Sequence, residues 1–386
     1  MNRGLTGRFE TITTAGEAVR AFVPNALPPA PPLDLSGERQ DRLAEAMLAC
    51  GRLDGVSSLL PDPDLFLYAY VRREAVLSSQ IEGTQSSLSD LLLFELDEAP
   101  GVPIDDVAEV SNYVTALEHG LTRLREGLPI SSRLLREVHG KLLSRGRGAD
   151  RQPGEFRRTQ NWIGGTRPGN AHFVPPPAPL VADCMANLER YIHGDDGIPV
   201  LIRAALAHVQ FETIHPFLDG NGRVGRLMIS LMLHDSGVLR QPLLYLSLYF
   251  KQQRDEYYRL LDVVRHEGDW EAWLEFFLEG VTGTAGGAVE TAHRLLALFR
   301  EDEQRLVDID RRATSLTRVY GALRARPVAT IQDLCRRASV TFPTAAKAVA
   351  TMQSVGIVRE LTHAMRNRVF AYDRYLAILN EGSQPV

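Results

Sequence analysis

The sequence predicts a mainly α-helical protein with one short β-hairpin and a small C-terminal unit of a different kind. From Ser36 to about Gly283, most segments carry apolar residues at i, i+3, i+4 and i+7, the spacing of amphipathic helices. One stretch has strand character instead, because the short runs Gln160–Ile163 and Ala171–Val174 flank the turn-rich residues GGTRPGN. From Ser315 onward, helical segments are followed by two β-rich runs. These observations place the chain in the mainly α class.

Length and charge limit the classes of protein to which the chain can belong. At 386 residues it is long enough for two or three domains, and 48 Asp and Glu against 43 Lys and Arg give a net charge of −5. This balance excludes a protein that coats nucleic acid with its whole surface. The three cysteines lie far apart, which argues against a disulfide framework or a structural zinc site. Since we find no apolar signal-peptide core and no membrane span in the sequence, we expect a cytoplasmic protein.

The predicted elements divide the chain into four regions. A proline-rich tract, Pro24 to Asp34, precedes the helices and is either a strap over the body or a plain linker. The residues GTAGG, Gly283 to Gly287, interrupt the helical spacing, so we expect the helical body to end there. The predicted regions are an N-terminal strap and helical region (1–125), a central core with the hairpin (126–283), a connecting helix (284–314) and the C-terminal unit (315–386).

The C-terminal unit has the element order of a winged helix-turn-helix. Thr330 and Asp333 form a capping-box pair at the start of one helix, and a turn at Ser339–Val340 leads to a second helix and a hairpin. Six basic and two acidic residues between Pro327 and Tyr372 give this stretch a charge of +4, which permits phosphate contacts. The second helix, however, has Lys347 as its one basic residue. The sequence therefore leaves open whether the unit docks on DNA or on protein.

Twelve residues between two helical segments, HPFLDGNGRVGR from His215 to Arg226, form the densest cluster of chemically active residue types. Gly220 and Gly222 free the backbone to approach a ligand, and a helix that begins near Arg223 presents N–H groups that bind anions. Arg223 and Arg226 share one face of its first turn, where two cations oppose the helix dipole unless an anion neutralises them. This pattern predicts a phosphate-binding site.

Two further residues of the loop fit a phosphate site. Asp219 supplies a carboxylate of the kind that holds Mg²⁺ beside bound phosphates, and His215 is a titratable base next to the same position. The spacing Gly220-x-Gly222-x-x-Gly225 formally matches the dinucleotide-binding fingerprint, but no predicted strand precedes it. The charges of the loop therefore carry the prediction, and the glycine spacing does not.

Glu82 is the predicted partner of one of these arginines. It ends a predicted helix immediately before Gly83, a natural C-terminal stop. A carboxylate at a helix C-terminus is electrostatically misplaced, as two arginines are at a helix N-terminus. A pairing of Glu82 with Arg226 would remove both unfavourable placements.

The loop HPFLDGNGRVGR resembles the signature of the Fic (Fic/Doc) family, HPFx[DE]GNGRxxR, with every fixed position present. The segment SSQIEG is similar to the inhibitory-helix motif of the family and contains Ser78, Glu82 and Gly83. RRTQNWIGG resembles the flap hairpin and EYYRLL the helix on the adenine side, where some relatives have asparagine in place of Arg265. The flap and adenine-side residues that match are Asn161, Trp162, Ile163, Gly164, Tyr257 and Tyr258.

This resemblance implies a helical Fic core and an autoinhibited enzyme that transfers AMP from ATP to a Ser, Thr or Tyr hydroxyl of a protein, including itself. By similarity, His215 would be the base, Asp219 would bind Mg²⁺ and Arg226 would hold the departing phosphates unless Glu82 occupies it. The other implied ATP contacts are Gly220, Asn221, Gly222 and Arg223.

Several alternatives stay open at this point. An enzyme of the same fold could remove AMP, with Glu82 aligning a water, and a DNA-binding regulator could use the helical core to sense nucleotide. Kinase-like relatives carry a lysine that reverses the nucleotide, and Gly222 argues against that chemistry here. The chain could also form a homodimer.

Overall fold

The computed structural model describes residues 1–59, 63–96, 103–309, 314–362 and 368–381, and within them the chain is mainly α-helical. The helices are α1 Glu38–Leu59, α2 Pro63–Ile81, α3 Leu88–Phe94, α4 Ile104–Arg125, α5 Ser132–Leu142, α6 Val181–Ile192, α7 Val200–Ile214, α8 Asn221–Asp235, α9 Ser247–Gln252, α10 Arg254–Glu267, α11 Trp270–Ile309, α12 Thr314–Ala325, α13 Ile331–Ala338, α14 Phe342–Ser354 and α15 Asp373–Asn380. The strands are β1 Gly7–Thr14, β2 Glu17–Pro24, β3 Val328–Thr330, β4 Arg359–Glu360 and β5 Val369–Ala371. The predicted fold class is thus confirmed.

Helices α7 and α8 form the centre of the helical body. Every residue of α7 from Leu201 to Ile214 is buried, which suits a helix that is apolar on most sides. Helix α8 packs against α7 and also contacts α4 and α5. At the α7–α8 contact, a Cβ on Gly225 would lie 2.5 Å from Glu212 Oε1, so the two helices approach closely only because that position is glycine. The loop between them is therefore held from both ends.

An N-terminal β-hairpin is present that the sequence analysis did not predict. Strands β1 and β2 pair antiparallel from Gly7 opposite Pro24 to Thr14 opposite Glu17. Positive φ values at Ala15 (49°) and Gly16 (80°) make the tight turn. The signal was available, since five of the six residues of FETITT are β-branched or aromatic and Ala15-Gly16 follow them.

The proline-rich tract lies against the body as a strap. Arg3 Nε donates to the carbonyl of Pro31 at 2.7 Å, and its Nη2 donates to the carbonyl of Pro32 at 2.9 Å. The same guanidinium pairs with Glu271 Oε1 at 2.6 Å, at the start of α11. The Arg3 guanidinium thus joins the strap to the start of α11.

The predicted helix break at Gly283 to Gly287 is wrong, because α11 runs without interruption from Trp270 to Ile309. Glycine in a helix interior costs about 1 kcal/mol relative to alanine. The apolar spacing nevertheless continues through this stretch, and the buried residues Val281, Ala285 and Ala288 keep the helix packed in the core. Tertiary packing therefore overrides the weak local propensity.

The C-terminal unit shows the predicted order of helix, turn, helix and hairpin. Its three strands form one antiparallel sheet in the order β3-β5-β4. Thr330 and Asp333 make the expected capping box at the start of α13, and Ser339, with φ at 50°, makes the turn before α14. Most of the basic turn predicted between the two β-rich runs (363–367) lies outside the described residues. Helices α12 and α15 of this unit pack on α2.

No described helix combines the length and the apolar character that crossing a bilayer requires.

Candidate active site

The α7–α8 loop has a backbone that is fixed by its own residues. His215 caps the end of α7 in the left-handed conformation (φ 49°), and Gly220 does the same before α8 (φ 76°). Between them, Asn221 Oδ1 accepts from the Phe217 amide at 2.8 Å, and its Nδ2 donates to the Phe217 carbonyl at 2.9 Å. The buried side chain of Asn221 thus closes the loop on itself, while the N–H groups at the start of α8 form one wall of the site.

His215 is held as a neutral base at the end of α7. Its side chain is 19% exposed, and its Nδ1 lies 4.0 Å from Glu212 Oε2. Burial, supported by the charges of Arg157 and Arg265, lowers the pKa of His215 to about 3. Arg157 fixes the backbone here, since its Nε donates to the His215 carbonyl at 2.9 Å. The imidazole is therefore unprotonated at neutral pH, as a general base must be.

Arg226 is clamped by the end of α2. Its Nη2 donates to Glu82 Oε1 at 2.8 Å and to the Ser78 carbonyl at 2.9 Å, and its Nε donates to Ser78 Oγ at 2.8 Å. Burial alone would raise the pKa of Glu82, but the charge of Arg226 lowers it below its ordinary value. Gly83 follows with φ at 98° and ends the helix as predicted. The predicted pairing of Glu82 with Arg226 is present.

Gly222 leaves the room that Glu82 needs. A Cβ at this position would lie 2.3 Å from Glu82 Oε1 and 3.0 Å from Arg226 Nη1. The Glu82 carboxylate therefore rests directly against the first turn of α8, where the sequence predicted an anion.

Arg223 is turned inward and has a partner that the sequence did not indicate. Its Nη1 lies 2.5 Å from Glu109 Oε1, and both side chains are 1% exposed. A second, longer contact of 3.5 Å joins its Nη2 to Asp219 Oδ1. The anions that neutralise the two arginines of α8 are thus carboxylates of the protein, one from α4 and one at the end of α2. Glu109 lies 114 residues before Arg223, and no local pattern marks it.

Asp219 stands at the open edge of the loop. Its side chain is 37% exposed, and its Oδ1 accepts from the Gly220 amide at 2.6 Å. A Cβ on Gly148 would lie 2.7 Å from Asp219 Oδ2, so glycine at this position keeps the carboxylate in place. His139 supports it from below, because its Nε2 donates to the Asp219 carbonyl at 3.1 Å while its Nδ1 accepts from the Gly154 amide.

A divalent cation would find one carboxylate ligand at this edge. The described residues contain no group of three or more His, Cys, Asp or Glu side chains that could hold a metal ion by themselves. Mg²⁺ typically binds one or two carboxylates and completes its shell with substrate phosphates and water. The exposed carboxylate of Asp219 beside the α8 N-terminus fits that mode of binding.

The predicted flap is reduced to one β-bridge. Ile163 and Phe173 exchange backbone hydrogen bonds at 2.8 and 3.1 Å. Asn161 Nδ2 donates to the Phe217 carbonyl at 3.0 Å, which ties the flap to the α7–α8 loop. Trp162 packs on the apolar cluster beside β2, and Gly164 has φ at 66° in the turn. The residues that follow this bridge, 164–167, are exposed.

The two adjacent tyrosines of α10 occupy different environments. Tyr257 is 1% exposed and its hydroxyl lies 2.9 Å from His208 Nε2, so it belongs to the core and not to the surface of the site. Tyr258 is 39% exposed, and its ring is the one available to a nucleoside. Arg265 lies under the flap, with its guanidinium 4.0 Å from the Phe173 ring centroid and 2.9 Å from Asp262 Oδ1.

Family comparison agrees with this geometry. A model described as Fic/DOC family matches residues 129–233, which include the α7–α8 loop, and one described as Fic/DOC family N-terminal matches residues 40–122, which include α2. The chain thus contains a Fic/DOC family N-terminal region and a Fic/DOC family region. Both carboxylate partners of the α8 arginines, Glu82 and Glu109, come from the N-terminal Fic region, and the arginines come from the Fic region itself.

The chain matches only part of the length of its curated relatives. Proteins named protein adenylyltransferase Fic from Drosophila grimshawi and Drosophila melanogaster are each 32% identical to it over 181 residues. The match spans 46% of this chain and 34% of either relative. The chain therefore spans about a third of the length of the curated relatives that it matches.

Solved structures show the same fold. A Fic family protein from Desulfovibrio desulfuricans G20 superposes with a TM-score of 0.60 at 20% identity, covering 89% of this chain and 98% of that one. Fic-1 of C. elegans gives a TM-score of 0.52 at 23% identity, covering 67% of this chain and 73% of that one. At these identities the likeness to solved structures shows the fold of the chain alone.

Proposed function

We propose that this protein is an autoinhibited protein adenylyltransferase, which transfers AMP from ATP to a Ser, Thr or Tyr hydroxyl of a protein. The observation that carries the proposal is the contact of Arg226 with Glu82 at 2.8 Å beside Gly222, at the N-terminus of α8. A carboxylate in this position mimics a terminal phosphate, and the arginine that holds it is the one that ATP would need. The curated relatives named protein adenylyltransferase Fic support the same chemistry.

The chemical step assigns one role to each group of the loop. The imidazole of His215 removes the proton from the target hydroxyl, whose oxygen forms a bond to the α-phosphorus of ATP while the bond to pyrophosphate breaks. The N–H groups at the start of α8 face the phosphates, and Arg226, once free, balances the charge of the leaving pyrophosphate. His215 carries the proton after the step and passes it to solvent.

Asp219 is the residue that would hold Mg²⁺ together with the ATP phosphates. When bound, the ion supplies charge neutralisation at the phosphates. His139 and Gly148 fix the Asp219 backbone and carboxylate from the protein side, as the contacts above describe.

The flap offers a place for the target protein. The β-bridge between Ile163 and Phe173 ends in an exposed turn that begins with Gly164. An extended segment of a substrate could add to this edge by backbone hydrogen bonds, a common mode of peptide recognition. Tyr258 lies on α10 and would contact the nucleoside.

Replacing Glu82 by glycine tests the proposal. In Glu82→Gly, Arg226 loses its carboxylate and becomes available to ATP. A charge-assisted hydrogen bond contributes about 1.5–3 kcal/mol, so we expect AMP transfer to rise by about one to two orders of magnitude. The measurement is incorporation of α-labelled ATP into the purified chain and into proteins of a cell lysate. Automodification should appear first, because the hydroxyls of the chain itself are at the highest local concentration.

Two variants serve as controls in the Glu82→Gly background. Adding Arg226→Ala should remove the gain, because the freed arginine is its source, and adding His215→Ala should abolish transfer without loss of ATP binding. A fall in transfer on replacing Glu82 would instead make the glutamate a participant in catalysis. The alternative that this enzyme removes AMP from modified proteins would then be favoured.

A further inference from the structure

The N-terminal hairpin β1–β2 shares a small apolar cluster with the flap, which is defined here as residues 160–174. This cluster is separate from the main core and consists of Val19, Ala21 and Val174, with Ile12, Trp162 and Ala171 packed against them. All of these residues belong to the hairpin or to the flap. Nothing in the proposed chemical step uses the hairpin, so its contact with the flap calls for a separate explanation.

A backbone hydrogen bond continues the flap into β2. Phe173 exchanges backbone hydrogen bonds with Ile163, and in an antiparallel pair the groups of the next residue point to the opposite side. On that side the Val174 carbonyl accepts from the Phe22 amide at 2.8 Å. The rings of Phe22 and Phe173 lie 6.1 Å apart, centroid to centroid. The outer segment of the flap therefore lies between its own partner segment and β2.

An ion pair joins the turns of the two hairpins. Arg167, in the turn of the flap, pairs with Glu17, the first residue of β2. The two side chains are 60% and 29% exposed, so the pair adds little to the stability of the chain. Its effect is to hold the turn of the flap against the turn of the N-terminal hairpin.

The hairpin is anchored to two helices of the body. The Thr6 amide donates to the Arg265 carbonyl of α10 at 3.1 Å, and Gln210 Nε2 of α7 donates to the Asn25 carbonyl at 2.8 Å. Helix α7 ends immediately before His215, the proposed base. The hairpin thus connects the flap to the helix that positions the base.

The internal pairing of the flap is too short to fix its position. Two paired strands are marginally stable alone in water, whereas further strands and an apolar face stabilise them. Asn161 and His172 tie the flap to the body through single side chains. We propose that the N-terminal hairpin is a positioning element for the protein target, which orders the flap through Val19 and Glu17. This inference rests on the proposed function, in which an extended segment of the target adds to the flap.

A pair of adjacent substitutions in β2 tests the contact in the full chain. Val19 is 7% exposed in the shared cluster, whereas Ala18 is exposed on the opposite face of the strand. Val19→Asp should move the emission of Trp162 to longer wavelengths, since the other two tryptophans are buried in α11. It should also speed hydrogen exchange of the Ile163 and Phe173 amides by about one to two orders of magnitude. Ala18→Asp should change neither, and an unchanged flap in Val19→Asp, or an equal change in Ala18→Asp, overturns the proposal.

Charge reversal tests the second contact without touching the apolar cluster. Arg167→Glu should speed exchange of the same two amides a few-fold, because it places two carboxylates side by side. Adding Glu17→Arg restores opposite charges and should restore slow exchange. Exchange in the double variant as fast as in Arg167→Glu contradicts the proposal.

The role in target binding is measured separately, in the Glu82→Gly background. The protein target is the full chain carrying His215→Ala, which can receive AMP but cannot transfer it. Val19→Asp should raise KM for this target severalfold and leave kcat and KM for ATP unchanged, while Val19→Ile and Ala18→Asp keep all three constants. An equal KM for the target in Val19→Asp and Ala18→Asp, or a parallel rise in KM for ATP, overturns the positioning role. If Glu82→Gly transfers AMP to no protein, the proposed function fails, while fluorescence and exchange still decide whether the hairpin orders the flap.

Discussion

Two carboxylate–arginine pairs flank the first turn of α8, and they differ in how firmly they are held. Glu109 and Arg223 are both 1% exposed, and their pair lies between packed helices. Arg226 is 2% exposed, but its partner Glu82 is 31% exposed and stands at the very end of α2, followed by a glycine. The first pair is enclosed by the core, whereas the carboxylate of the second is partly open to solvent.

Under the proposed function, this difference would separate a structural contact from a regulatory one. A buried ion pair is costly to break from one side, because the remaining charge is left in a low-dielectric environment. When the carboxylate of an ion pair is partly exposed, water can hydrate it. Another anion can then take its place on the arginine. We therefore propose that Glu109 serves the stability of the α8 N-terminus and that Glu82 serves its control.

Removing Glu109 should have the largest effect on stability. Glu109→Ala leaves the buried Arg223 with only its longer contact to Asp219, and we expect a loss of about 3–5 kcal/mol in the free energy of unfolding. Urea denaturation measures it, with Glu82→Ala as the matched control on the neighbouring pair. A loss in Glu82→Ala as large as that in Glu109→Ala would remove the distinction between the two pairs.

A methyl group on Gly222 should act on the exposed pair alone. In Gly222→Ala the new Cβ would overlap Glu82 Oε1, and we expect a loss of about 1–3 kcal/mol from this overpacking. In the Glu82→Gly background the same substitution should cost much less, because the atom that it displaces is gone. A double-mutant cycle on unfolding free energies measures the coupling. Additive losses would mean that the clash lies elsewhere.

Removing the hydroxyl of Ser78 should loosen the clamp only slightly. Ser78→Ala deletes one hydrogen bond to Arg226 Nε, while the Ser78 carbonyl and Glu82 still hold the guanidinium. A hydrogen bond from a charged donor contributes about 1.5–3 kcal/mol, but Glu82 still occupies Arg226, so AMP transfer should rise only a few-fold and remain below that of Glu82→Gly. Initial rates with labelled ATP decide the order of the two variants.

The smallest expected effect is that of pH on AMP transfer, through the protonation of His215. Because burial lowers the pKa of His215 to about 3, the imidazole gains its proton only near that pH and stays neutral as the pH falls from 7 to about 5. Transfer by Glu82→Gly should therefore lack an acid limb with a midpoint near the ordinary histidine pKa of about 6.5. A midpoint there in a pH–rate profile would show that His215 is solvated when ATP is bound.

Local patterns account for the part of the site that the sequence predicted. His215 to Arg226 is one continuous stretch of chain, formed by the α7–α8 loop and the start of α8, so its glycines and charges are neighbours and appear together as a motif. Glu82 was also found from local chemistry, since a carboxylate before a glycine at a helix end needs a cation. In the same way, the helical spacing predicted the class of fold, and Thr330 with Asp333 predicted the capping box of α13.

Tertiary structure alone decided the partners that come from distant parts of the chain. Glu109 neutralises Arg223 from another helix, and His139 supports Asp219 across 80 residues, although neither has a local signal. Around Gly283 and Gly287 the local signal was misleading, because packing keeps α11 helical where glycine favours a break. Spacing and charge thus determine what neighbouring residues can do, while the burial of side chains against remote helices determines which carboxylate is enclosed and which is partly exposed.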